Sequence, residues 1–246
     1  MYLRCLSLLL VFGSAGAAEL RVCAEPDNLP FSHRDESGFE NRIARLLAAD
    51  LGRELTYSWN LQRRAFVRKT FGSGLCDLWM GVPAGFERTL TTRPYYRSTY
   101  VFVYGKRALR SFDEPALKAM RIGVQLPGDD GAATPPGHAL AARGIQPRGY
   151  SMYGATPAAQ RIVQALARGE LDAAVTWGPA TAYFASASNL AVVPVANGVG
   201  PFPFHFAIAV GVRRGEIDLR DALDGALERR RREVEAVLDE FRVPRL

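Results

Sequence analysis

Metal-ligand, nucleophile and phosphate-binding patterns are missing from this 246-residue chain. The three histidines, His33, His138 and His205, stand in unrelated segments without His-x-x-x-His or carboxylate-rich spacing. That distribution argues against a metal centre and for surface or hinge positions. No Gly-x-Ser-x-Gly surrounds Ser73 or Ser151, and no Cys-x-x-Cys occurs. Neither Gly-x-Gly-x-x-Gly nor Gly-x-x-x-x-Gly-Lys is present. The sequence therefore offers no nucleophile, no redox pair and no cradle for a nucleotide, and neither a cofactor nor an enzymatic activity is expected. Long hydrophobic runs are absent too: nothing approaches the ~20 apolar residues that a bilayer span needs.

What is present is ordinary for a folded chain, 48% apolar and 23% charged, enough for one large domain or two of about a hundred residues each. The first 18 residues differ from the rest. A basic start at Met1 to Arg4, an apolar run from Cys5 to Phe12 and small residues from Gly13 to Ala18 read as a signal peptide (residues 1–18). The mature chain is thus expected to start near Ala18 or Glu19 and to be soluble and exported. Its two cysteines, Cys23 and Cys76, suggest one disulfide closing a loop of ~54 residues, worth about 4 kcal/mol on the chain-entropy model; two buried thiols are the alternative. The excess of positive charge is modest. Much of it lies in Arg229 to Arg232, within a Glu-rich helical pattern that reads as a solvated face. Nucleic acid is not an expected partner, because basic and aromatic residues do not interleave.

The elements alternate. A strand over Leu20 to Ala24 runs into the Pro- and Asx-rich loop Glu25 to Pro30. Apolar residues at Phe39, Ile43, Leu46, Leu47 and Leu51 then predict a helix stopped by Gly52. Glu54 to Trp59, Arg64 to Phe71 and Cys76 to Val82 read as strand, helix and strand. The alternation predicts a mostly parallel sheet with helices on both faces. A second such block extends from Met120 to Val195, with strands at Met120 to Gln125, Gln146 to Tyr150, Leu171 to Thr176 and Leu190 to Val195. Its helices are expected over Asp129 to Arg143, interrupted by Pro135-Pro136, over Pro157 to Arg168, and over Pro179 to Ala187.

Two long extended runs, Tyr95 to Tyr104 and Pro203 to Val212, flank the second block, and helices at Ile217 to Arg231 and Glu233 to Phe241 close the chain. One domain inserted into another through a two-stranded hinge would require this order. Lobe 1 would comprise residues 19–103 and 205–246, and lobe 2 residues 104–204. Ligands of open α/β sheets bind at strand carboxyl ends, so the expected site is the crevice lined by 27–31, 81–85, 125–130, 151–153 and 177–179. Aromatic residues gather at predicted loop and hinge positions, Phe31, Tyr95, Tyr96, Tyr100, Tyr104, Tyr150, Tyr153, Trp177, Tyr183, Phe202, Phe204 and Phe206, many of them expected in the core and others at the crevice rim. Rings with one polar tip suit a large amphipathic partner better than a small ion. Asp129 and Asp130 open a helix, where they favour its dipole and repel an anionic ligand.

The stretches Leu20-Arg-Val-Cys-Ala-Glu-Pro-Asp-Asn-Leu-Pro-Phe-Ser32 and Gly38-Phe-Glu-Asn41, with Asp77 before Gly81, resemble periplasmic solute-binding proteins of the amino-acid type, family 3. Longer stretches are more specific: Gln62 to Arg68, Gly81 to Phe86, Thr91 to Val103, Ile122 to Gly131, Thr134 to Pro136, Trp177 to Pro179 and Gly211 to Gly215. These resemble the subgroup associated with quinoprotein (PQQ-dependent) methanol and alcohol dehydrogenases, the MxaJ/XoxJ-like J proteins. The resemblance implies the type II periplasmic-binding-protein fold, α/β, with two lobes joined by a two-stranded hinge, and it implies the periplasm. In that fold the strands bearing Cys23 and Cys76 are neighbours, which implies a Cys23–Cys76 bridge.

Departures from amino-acid binders sharpen the functional expectation. Such proteins hold the α-carboxylate with an Arg between the turn at Gly81 and Pro94-Tyr95. Arg88 lies in that interval, but the interval is about three residues short. The α-ammonium partner is an Asp five residues beyond the position of Asp172, where this chain has Trp177. An indole cannot pair a desolvated ammonium. The expected function is an accessory factor that binds the dehydrogenase, or a segment of it, in or beside the crevice, with the c-type cytochrome as a second candidate partner. A transporter-linked receptor for a small solute is the alternative, and a dehydratase-like enzyme on the same scaffold is the weakest reading. Candidate cleft residues are Asp27, Asn28, Phe31, Pro83, Arg88, Gln125, Asp129, Asp130, Tyr153 and Trp177.

Overall fold

The computed structural model describes residues 18–62, 65–127, 133–154, 156–196 and 202–246. Asp129, Asp130, Arg63, Arg64 and all of the leader up to residue 17 lie outside the described residues. Two α/β lobes follow one another along a single mixed sheet of order β4-β1-β5-β12-β7-β10-β8-β9.

In the first lobe β1 (Glu19–Ala24) is followed by a small hairpin, β2 (Asp27–Asn28) with β3 (Ser32–His33), and by α1 (Phe39–Asp50). Strands β4 (Glu54–Trp59) and β5 (Leu78–Pro83) flank β1 and run parallel to it. Phe39, Ile43 and Leu47 recur at every fourth position and are fully buried, so one stripe of α1 meets Leu20, Val22 and Leu78 from the sheet. The helix expected over Arg64 to Phe71 is instead one π-turn, Val67–Phe71, closed by Gly72 N–H donating to the Val67 carbonyl. Cys23 and Cys76 form the bridge, on adjacent chain segments where Cys23 registers against Trp79.

A short β6 (Leu90–Thr91) leads to β7 (Tyr96–Tyr104), which belongs to both lobes. Tyr96 to Thr99 pair with β12 (His205–Val212), whereas Tyr100 to Tyr104 pair with β10 (Ala173–Trp177). The second lobe adds β8 (Ile122–Leu126), α2 (Pro135–Ala141), β9 (Arg148–Ser151), α3 (Ala158–Ala167), α4 (Gly178–Ala185) and β11 (Ala191–Pro194). Here β10, β8 and β9 are parallel, and β11 lies antiparallel on β7. The expectation of a mostly parallel sheet is thus corrected. Parallel pairs occur where a crossover returns the chain to the same end, while β7 and β12 cross between lobes and run antiparallel to their neighbours. Helix α2 begins at Pro135, where a proline ring is tolerated in a helix's first turn, and residues 129–132 of the expected helix lie outside the described residues.

Alternation along β7 divides the second lobe's core. Phe102 and Tyr104 face one cluster with Phe112, Ile122 and Leu140, and Val101 and Val103 face another with Ile162 and Leu166. Helices α5 (Ile217–Arg229) and α6 (Arg231–Glu240) return to pack on α1. The arginine run straddles their junction and is largely exposed, as expected of a solvated face, while Arg229 and Arg230 both donate to the Asp50 carboxylate at the end of α1. Those two guanidinium groups hold Asp50 below its ordinary carboxylate range.

Candidate functional site

A cleft of about 300 Å³ opens where the lobes meet. Its first-lobe wall comes from the loop after β1 (Asp27, Asn28, Phe31), from Glu40 in the first turn of α1, and from Met80, Gly81 and Pro83 of β5. The second lobe contributes Gln125 at the end of β8, Met152 and Trp177 at the end of β10, while the floor is the hinge, Tyr96 and Tyr100 of β7 with Phe206 and Ile208 of β12. The site thus lies at the carboxyl ends of β1, β5, β8 and β10, where a parallel sheet leaves its loops free.

Trp177 is fixed from both sides. Its backbone N–H donates to Gln125 Oε1 at 2.8 Å, and its carbonyl accepts from the Thr181 hydroxyl at 3.1 Å. Gln125 is itself buried, its carbonyl accepting from Thr134 Oγ1. The indole meets Tyr100 edge-on at 5.4 Å and Phe206 at 5.8 Å between ring centres. Three rings from three strands therefore form one rigid aromatic corner. Burial pushes the Tyr100 hydroxyl up to about 12, so the corner carries no charge at neutral pH.

The opposite side is acidic. Asp27 is exposed at the rim, 3.4 Å from His33 Nε2, while His33 Nδ1 approaches Asp35 at 2.7 Å. Glu40 is only 8% exposed, and burial, reinforced by Glu25, pushes its carboxyl up to about 8. Gly81 makes room for it. With φ at +73°, this residue needs glycine, and a Cβ would collide with the Glu40 carboxyl.

Of the sequence-derived candidates, Asp27, Asn28, Phe31, Pro83, Gln125 and Trp177 come together around the cleft. Arg88 does not: it is exposed in the loop between β5 and β6, away from the lining. Tyr153 is half-buried just beyond β9 and also stands off the lining, its N–H donating to Ser151 Oγ. Asp172, from which Trp177 was counted, turns outward to grip Arg121. Glu40, Tyr96, Tyr100 and Phe206 are lining residues absent from the candidate set. The aromatic-rich hinge runs pointed to the last three. Glu40 carried no signal, because a carboxylate in a helix's first turn is the ordinary choice beside the dipole.

No protein-family model matches the chain. Protein MoxJ of Methylorubrum extorquens (strain AM1) is 32% identical over 248 residues, spanning 93% of this chain and 82% of its own. The crystal structure of periplasmic binding protein XoxJ from Methylobacterium extorquens AM1 superposes with a TM-score of 0.76 at 36% identity, covering 92% of this chain and 99% of XoxJ. MxaJ from Methlophaga aminisulfidivorans MPT gives 0.78 at 27% identity, with 92% and 100% covered.

Proposed function

Because this chain belongs to the family of MoxJ- and XoxJ-type periplasmic binding proteins, we propose that it is a periplasmic accessory factor of a quinoprotein methanol or alcohol dehydrogenase system. It binds the dehydrogenase, or a segment of it, in or beside the interlobe cleft and so aids assembly or activation. One observation carries this reading: the position that should hold a zwitterion's ammonium is Trp177, whose indole packs against Tyr100 and Phe206. Arg88, which lies in the interval where amino-acid binders carry their carboxylate clamp, stays outside the cleft lining. A free amino acid would have to shed the hydration of its carboxylate with no described cation in the cleft lining to receive it, and would find an indole where the family's ammonium anchor stands, which costs several kcal/mol. A flat aromatic corner instead suits the apolar side chains of a polypeptide, which bring area and few charges.

The working lobe boundaries are residues 19–103 with 205–246 against 104–204, the hinge running through β7 and β12. Hinge closure over a captured segment is the motion this scaffold supports. No helix among the described residues is long and apolar enough to cross a membrane, in keeping with a diffusible periplasmic factor.

The test sets two partners against each other. Purified quinoprotein dehydrogenase is expected to bind the immobilised protein, and Trp177→Ala to weaken that association about tenfold, the scale of a buried aromatic anchor. Calorimetry with pooled neutral and acidic amino acids is expected to be silent. Micromolar amino-acid binding without dehydrogenase association would instead establish a transporter-linked receptor.

A further inference from the structure

Glu40 is the polar group in the cleft that folding leaves without a partner. It is 8% exposed, it lines the cleft, and it makes no hydrogen bond or ion pair with any described residue. The titratable groups facing it are Glu25 beyond β1, Tyr57 on β4, and Tyr95 and Tyr96 at the start of β7; none is a cation. Asp27 brings a second carboxylate to the same cavity, and no Arg, Lys or His occurs among the described lining residues.

Three ligand classes can be weighed against that lining. An anion would meet two carboxyl groups and no described cation. A purely apolar group would cover the aromatic corner but leave Glu40 buried and unpaired, a standing cost of about 1–3 kcal/mol. An organic cation satisfies both walls, since a carboxylate neutralises its charge and ring faces attract it through their quadrupoles.

We infer that the cleft holds an alkylammonium or guanidinium group, its charge paired with Glu40 and its alkyl stem laid against Tyr100, Trp177 and Phe206. The inference does not require a dehydrogenase partner, because the cation can be a Lys or Arg side chain of any polypeptide segment or a free small amine. It also accounts for the buried carboxyl. In the empty cleft Glu40 keeps its proton at neutral pH; the arriving cation favours the carboxylate, and the proton leaves to solvent.

Calorimetry on the full mature chain tests this with end-blocked tripeptides Gly-Lys-Gly, Gly-Arg-Gly and Gly-norleucine-Gly, and with butylammonium and agmatine, in buffers of different ionisation enthalpy. At least one cationic probe is expected to bind about tenfold or more tighter than the norleucine peptide. Net proton release at pH 7 and affinity rising from pH 6 to 9 are expected to accompany it. In Glu40→Gln the discrimination, the proton release and the pH dependence disappear, while norleucine affinity stays. Tighter binding of the tripeptides assigns the cation to a polypeptide, and tighter binding of butylammonium or agmatine assigns it to a small amine. Equal affinity for the lysine and norleucine peptides in the unaltered protein overturns the proposal without recourse to a variant, as does failure of every cation to bind at millimolar concentration. Dehydrogenase association is read separately, so losing one result leaves the other standing.

Discussion

The two lobes carry the same clamp in different surroundings. In the first, the Asp77 carboxylate accepts from the Arg21 backbone N–H, from Nε at 3.1 Å and from an Nη at 2.7 Å, and Asp77 N–H returns a bond to the Arg21 carbonyl. In the second, Asp172 takes the same four bonds with Arg121. Each clamp ties a parallel strand to the segment entering a neighbour: Arg21 within β1 to Asp77 just before β5, and Arg121 just before β8 to Asp172 just before β10. The surroundings then diverge. Asp77 is 15% exposed, has Arg213 at 3.7 Å, and adjoins the Cys23–Cys76 bridge; Asp172 is 36% exposed, and its partner Arg121 more so. A bidentate pair strengthens as solvent is excluded, so the same geometry holds more firmly in the first lobe than in the second.

Four measurements can break or sharpen this contrast. Replacing Cys23 and Cys76 by Ser should cost the most, about 4 kcal/mol in urea denaturation, because the first lobe loses the crosslink that restricts its unfolded chain. Second, Glu40 has a raised folded-state pKa, so the folded chain retains a proton that the unfolded chain gives up. Stability conferred by that proton is full below the unfolded value of about 4.5 and is lost as pH rises through about 8. Glu40→Gln should flatten that decline, on the order of 3 kcal/mol between pH 4.5 and 7, as read from denaturation midpoints at successive pH values. Third, Asp77→Ala should destabilise by about 2 kcal/mol, leaving Arg21 and Arg213 without their carboxylate.

Asp172→Ala should cost less than Asp77→Ala, and an equal loss would remove the claimed difference between lobes. Its pH signature is nevertheless distinct. Arg121 holds Asp172 at about 2, so the contribution of this clamp is present above the ordinary carboxylate value and fades as pH falls towards 2. An acid titration in which Asp172→Ala and the unaltered protein converge near pH 2 would show it, and a constant gap would argue against it.

Much of the fold could be read from periodicity. Residues 39, 43 and 47 place a helix, continuous apolar runs place β1, β5 and β10, and the prolines and Asx residues of 25–30 place a loop, because each signal is local and needs no distant partner. The aromatic hinge runs were legible for the same reason. Signals that depend on neighbours failed sooner. Residues 64–71 have helical character but close as a π-turn, and the sheet is less parallel than the alternation suggested, because strand direction at the hinge is set by where the chain crosses.

The candidate site divides along the same line. By itself the sequence determined two blocks of alternating α and β elements and an even pair of cysteines, while the family resemblance supplied the tryptophan in place of an acidic anchor and the expected Cys23–Cys76 bridge. Only the tertiary structure decided that Arg88 faces solvent, that Tyr100, Trp177 and Phe206 share a corner, and that Glu40 is buried at the cleft wall. A first-turn glutamate looks alike whether it points to water or into a cavity. Its chemistry follows from the backbone opposite it, where Gly81 leaves the space, and from the lack of any described cation near enough to meet its charge.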